Sequence, residues 1–253
     1  MTLLDERPTG DAAGDGRALT PQERKERNAR IRRWIFPVVS LVIIVGIALT
    51  TVLLMNGGIA EDRPPTAEEI SADNTSQMTD AGLAYIAQRQ TASFNLSDLP
   101  LTVDEVGMAD DDTVVADSYV GLIQTTFYVG RGGGIDDEGY FRAQMRQIAV
   151  TTEGGVVTGI DAELDTFGWA EFPAIVRALQ DGTTQFGWTF TDEMQATLED
   201  EVGAAVREGE PYATTIDPGT ALGIPVGAQV ACGAGGSCTL TYLLEPTEVA
   251  TTP

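Results

Sequence analysis

Between residues 34 and 54 the chain reads WIFPVVSLVIIVGIALTTVLL, without a charged side chain. As a helix rising about 1.5 Å per residue, this run reaches about 31 Å, the thickness of a bilayer's hydrocarbon core. Fourteen of its residues are Leu, Ile, Val or Phe, which favours insertion by about 5 kcal/mol. The expected transmembrane helix is therefore residues 34–55. Six cations stand just before it, Arg24, Lys25, Arg27, Arg30, Arg32 and Arg33, and only Arg63 follows closely, beside Glu61 and Asp62. Basic side chains are retained on the cytoplasmic side, so the expected topology is a single pass with a cytoplasmic N-terminus and an extracytoplasmic C-terminal part. A cleaved signal peptide is the competing reading, with Gly58-Ile59-Ala60 as small residues for a peptidase. The length of the apolar run exceeds the usual 7–15 residues of such peptides and favours an anchor.

The charge is split across that helix. Residues 1–33 carry eight basic and six acidic side chains, whereas the remainder carries seven Arg and 32 Asp or Glu. A surface with a net −25 repels nucleic acid, whose phosphates need Lys and Arg. It attracts basic partners and allows divalent cations, although strong acidity also serves solubility alone.

The chain has no histidine, and its only lysine is Lys25. Ser-His-Asp and Cys-His catalysis are thereby excluded, as are Ser-Lys dyads and Schiff bases in the C-terminal part. Two cysteines alone cannot close a tetrahedral zinc shell. Carboxylate chemistry, oxygen-ligand metals and arginine-based anion binding survive. The two cysteines, Cys232 and Cys238, bracket CGAGGSC, and in an oxidising compartment they are expected to form a disulfide.

Local signals divide the chain further. Residues 1–33 read as a mostly disordered basic tail, 56–77 as an acidic stalk behind Pro64-Pro65, and 246–253 as a disordered tail. Asn74-Thr75-Ser76 and Asn95-Leu96-Ser97 match the glycosylation sequon. In the expected domain, 78–245, Thr79 caps a helix ending near Gln90, with Met78 and Leu83 at the staple positions. Strands are predicted over 118–129, over YFRAQMRQIAVTT from 140, and over VVTGIDAEL, the last two joined as a hairpin by Glu153-Gly154-Gly155. Pro173 opens a helix with Phe172, Ile175, Val176 and Leu179 on one face. Thr191 caps another in which Met194, Leu198, Val202 and Ala205 line a face, with Gly209 as its stop. QFGWTF between them alternates as a short strand does, and AQVACGAGGSCTLTYLL predicts two strands around the cysteine turn. The fold class is α+β: one N-terminal transmembrane helix, then a single domain with an antiparallel sheet of about five or six strands and about three helices.

Four sets of residues are candidates for chemistry. Asp110, Asp111, Asp112 and Asp117 form a weak Ca²⁺ candidate that lacks the spacing of a calcium loop, and Asp136, Asp137 and Glu138 share that weakness. Gly130 to Gly134 lack the G-K-[ST] of a phosphate loop. Glu163, Asp165 and Glu171 near Trp169, with Trp188 and Phe190, are the group closest to a glycosidase's paired carboxylates and aromatic cleft. Arg142 and Arg146, four apart beside Tyr140, would share a strand face and grip a carboxylate or an acidic patch. The expectation is a non-enzymatic, membrane-anchored binding or scaffolding protein of the cell envelope, with another envelope protein as partner and no cofactor. The alternative is a carboxylate-based hydrolase of envelope glycans.

Overall fold

The computed structural model describes residues 37, 39–50, 63–118, 120–130 and 139–246. Two compact units divide the chain, Met1–Ile59 and Ala60–Pro253. In the first, residues 39–50 are helical and every one is exposed. That stretch is about 18 Å long. Among the described residues no helix is long and apolar enough to cross a membrane. The ends of the predicted span, and the six flanking cations, lie outside the described residues. Thr50 Oγ1 donates to the Gly46 carbonyl at 2.8 Å, one turn back on the same face.

The second unit is mixed α+β and is built around two sheets. Helix α1 (Asp80–Arg89) starts where Thr79 accepts from the Gly82 N–H at 3.1 Å, the cap the sequence predicts. It stops at Gln90 in the left-handed region. Strand β1 (Thr91–Asn95) and a one-turn helix α2 (Val103–Val106) follow, then β2 (Thr113–Asp117), β3 (Ile123–Tyr128) and β4 (Tyr140–Met145). Next come β5 (Gln147–Glu153), β6 (Val156–Glu163) and the two-residue β7 (Phe167–Gly168). Helices α3 (Phe172–Gln185) and α4 (Asp192–Glu208) precede β8 (Tyr212–Gly219), β9 (Val226–Cys232) and β10 (Ser237–Leu244). Thr191 caps α4 through the Met194 N–H, and Gly209 ends it at φ +70°, both as predicted.

The large sheet runs β2-β5-β6-β10-β9-β8 with β7 beside β10, and every pairing in it is antiparallel. Register puts Ala116, Ile148, Ala162, Tyr242, Ala228 and Ile216 in one row, one residue per strand, and all six are buried. The small sheet runs β1-β3-β4, with β1 parallel to β3. Phe94, Phe127 and Phe141 form its buried row, with ring centroids 5.7 and 4.7 Å apart. Phe186 meets Phe141 at 5.4 Å and Tyr242 at 5.3 Å, so one aromatic run joins the two sheets. Cys232 and Cys238 are disulfide-bonded, as predicted, and are cross-strand partners in β9 and β10.

Four expectations need correction. The strand predicted from Tyr140 is two strands in different sheets. Buried positions are 141 and 145 before Arg146 but 148, 150 and 152 after it, and that reversal of parity turns the chain from one sheet to the other. QFGWTF is no strand. Phe186 closes α3, Gly187 takes φ +79°, and Trp188 turns inward to donate from Nε1 to the Val226 carbonyl. Among the described residues ten strands stand where about five or six were expected, because edge strands such as β2 and β8 leave about half of their residues exposed and read as loops.

The fourth correction is that the described part of the expected stalk, residues 63–77, is part of the fold. Thr75, Ser76 and Gln77 are buried, and Ser76 donates its N–H to the Ser93 carbonyl at 2.7 Å, along the edge of β1 away from β3. Glu69, 7 % exposed, accepts from both Nη atoms of Arg63 and from the Thr66 N–H at 2.8 Å. Those three donors hold its carboxyl down at about 2, the arginine hydrogen bonds first and the Thr66 N–H second.

Candidate functional site

The acidic run is a structural loop. Asp110 Oδ1 accepts from the Gly155 N–H at 2.7 Å and Thr152 Oγ1 donates to the Ala109 carbonyl at 2.8 Å, so the loop is pinned to the β5–β6 turn. Asp112 Oδ1 accepts from the Thr113 N–H at 2.8 Å, Asp111 stands at φ +52°, and Asp117 ends β2. Among the described residues no group of three or more carboxylates or thiols surrounds a point that a metal could occupy. Asp136, Asp137 and Glu138 lie outside the described residues, as do residues 131–134 of the glycine-rich segment.

The glycosidase candidates each have a local partner. Asp165 accepts from the Thr166 N–H at 2.8 Å and Glu171 from the Gly168 N–H at 3.2 Å, each serving its own turn. Glu163 stands 4.0 Å from Arg146. Trp169 stacks on Phe172 at 5.2 Å, Trp188 is buried on the Val226 carbonyl, and Phe190 lies elsewhere, beside α4. Arg142 and Arg146 are separated as well. Arg142 lies on β4 with its guanidinium 4.7 Å from the Tyr140 ring centroid, whereas Arg146, in the bend between sheets, donates to Thr166 Oγ1.

A groove that the sequence reading did not assemble lies between α4 and β8. It encloses about 330 Å³. The Thr191 cap sets the phase of α4, and a spacing of four places Met194 and Leu198 one above the other on the side facing β8. The neighbouring row, again at spacings of four, is Glu193, Thr197 and Glu201. Period-two alternation in β8 brings Tyr212, Thr214 and Ile216 to the opposite wall. Leu198 and Ile216 form a buried floor, while Met194 remains 38 % exposed. Helical periodicity reads Met194 as core, and its exposure shows that the core stops one turn short of it.

Tyr212 OH donates to Glu201 Oε2 at 2.7 Å and ties the two walls together. Partial burial, and then the Glu201 carboxylate it donates to, push the Tyr212 phenol upward from 10.0. The groove lining contains two acids and no cation. Glu193 and Glu201 are eight residues apart, about 12 Å along the helix axis, so they stand at opposite ends of the groove's helical wall.

Beside this groove runs a sheet edge. Strand β8 is the last in the large sheet, and among the described residues no other segment pairs with its outer side. Pro218 and the register shift between Ile216 and Gly219 close its far end, which leaves 212–216 as an edge about 17 Å long. An apolar slot next to unpaired strand backbone can accept an extended chain, with main-chain hydrogen bonds on the edge and alternate side chains in the slot. No family model matches this chain, and neither a curated protein nor a solved structure matches it.

Proposed function

We propose that the protein is a membrane-anchored, non-enzymatic binding protein of the cell envelope, and that its globular unit takes an extended segment of another envelope protein along β8. The single observation that supports this most is the apolar groove of Met194, Leu198 and Ile216 lying alongside a free sheet edge. The occupant is a segment with apolar residues at alternate positions and a Lys or Arg among them. Glu193 and Glu201 on the rim, and the acidity of the whole unit, select for that charge. Anchoring by residues 34–55, with the basic cluster inside and the globular unit outside, rests on the length of the apolar run and on the asymmetry of its flanking charge.

The test uses the full chain in detergent micelles and two synthetic peptides, one alternating Val with Lys and one alternating Val with Glu. The Lys peptide is expected to bind saturably and to weaken about tenfold with added salt or in Glu201→Lys. Met194→Asp, at an exposed position, should abolish binding while the far-ultraviolet circular dichroism is unchanged. Equal binding of the Glu peptide, or binding that survives both substitutions, would overturn the proposal.

A further inference from the structure

The small sheet carries a second concavity, on the face opposite its phenylalanine row. Alternation along β1, β3 and β4 that sends Phe94, Phe127 and Phe141 inward turns their neighbours outward. Register then aligns Ser93, Thr126 and Arg142 across the three strands, with Thr91 and Gln124 aligned two residues along. The segment before α1 builds a wall. Ile70 and Ser76 are paired there, and Ser76 Oγ accepts from the Ser93 N–H at 2.9 Å. The resulting groove encloses about 450 Å³, and Ile70 and Ala92 are its apolar part.

Its chemistry departs from the rest of the unit. A unit with 32 acids in 194 residues places none in this lining and places an arginine there instead. Arg142 makes no ion pair among the described residues, and its guanidinium lies over the Tyr140 ring, which holds the planar fork in orientation. Thr91, Gln124 and Thr126 line the same groove and point outward with hydroxyl and amide groups. Ser93 Oγ is engaged, donating to the Asn74 carbonyl.

We infer that this groove is a binding site for a hydroxylated monocarboxylate, a sugar acid. The Arg142 fork takes the carboxylate through two parallel hydrogen bonds, and Thr91, Gln124 and Thr126 take ring hydroxyls. One guanidinium balances one negative charge, and the field of the acidic unit opposes ligands that carry more. The volume accommodates one or two sugar rings. This site shares no residue with the groove at α4 and β8 and does not depend on it.

The test is calorimetric titration of the full chain in micelles with D-glucuronate, alongside D-glucose, acetate and inorganic phosphate. Glucuronate should bind saturably, and glucose and acetate should each bind at least about tenfold more weakly. Arg142→Gln, at an exposed position, should weaken glucuronate about tenfold or more, and Arg142→Lys should restore part of that loss. Thr126→Val should weaken glucuronate and leave acetate unchanged. Glucuronate binding undiminished in Arg142→Gln, phosphate binding tighter than glucuronate, or no saturation by ~20 mM would overturn the inference.

Discussion

Tyr212 on the edge strand donates its hydroxyl hydrogen to Glu201 on helix α4, at 2.7 Å across the mouth of the groove. Loss of that bond in Tyr212→Phe should lower stability by about 1 kcal/mol, read from urea denaturation. The same pair sets an alkaline limit. The fold holds the phenol above 10.0, so this contribution is fully present below pH 10 and is lost as pH rises through the native value. Wild type should lose stability there relative to Tyr212→Phe, and identical alkaline profiles for the two would contradict the coupling.

Gly182 in α3 has no room for a side chain. A Cβ built on it would fall 2.1 Å from Trp188 Cζ3 and 2.2 Å from Cε3. In an open helix Gly→Ala gains about 1 kcal/mol. Here the overlap outweighs that gain, because Trp188 is buried between Phe186 and Tyr242 with its Nε1 committed to Val226. Gly182→Ala should destabilise by about 2 kcal/mol net and blue- or red-shift the tryptophan emission, while Gly154→Ser, in open space, should leave that emission unchanged.

Glu69 gives the unit an acid-sensitive clasp. Its carboxyl is held at about 2 against an ordinary 4.5, so the folded state binds its proton later than the unfolded chain does. The contribution is present above pH 4.5 and is lost progressively as pH falls toward 2. Denaturation midpoints of Glu69→Gln should lie below wild type at pH 7 and converge on it near pH 2. A constant gap between the two across that range would refute the assignment to Arg63 and Thr66.

Topology has its own test. With epitopes at both ends, external protease on intact cells should remove the C-terminal epitope and spare the N-terminal one. A C-terminal epitope protected in intact cells would place the globular unit inside and remove the compartment on which the proposed function depends.

The parts of this fold that were legible in sequence are those decided locally. Thr79 and Thr191 cap helices through N–H groups three residues on, and Gly154-Gly155 turn a hairpin with φ of +62° and +84°. Arg146 marks the limit of that reading. The parity of buried residues reverses across it, yet the alternating pattern on each side looks like one continuous strand. QFGWTF misleads in another way, since its alternation comes from an aromatic core contact and not from a sheet. Glu69 looked like stalk acidity because its burial depends on an arginine six residues away and on the way 70–76 folds back along β1.

The groove was illegible for a related reason. Met194 and Leu198 follow a core periodicity, whereas the opposite wall, Tyr212 to Ile216, is a half-exposed edge strand whose position nothing local specifies. Arg142 was visible as a cation, but the polar surface around it comes from three strands brought together by register.

The most direct test of the central claim is amide hydrogen exchange across β8 in the full chain, with and without the Val-Lys peptide. The account predicts that outward-facing amides within 212–216 exchange freely alone and slow by about tenfold or more with peptide, while the small sheet is unaffected. Protection that appears on the small sheet, or on no strand at all under saturating peptide, would contradict it.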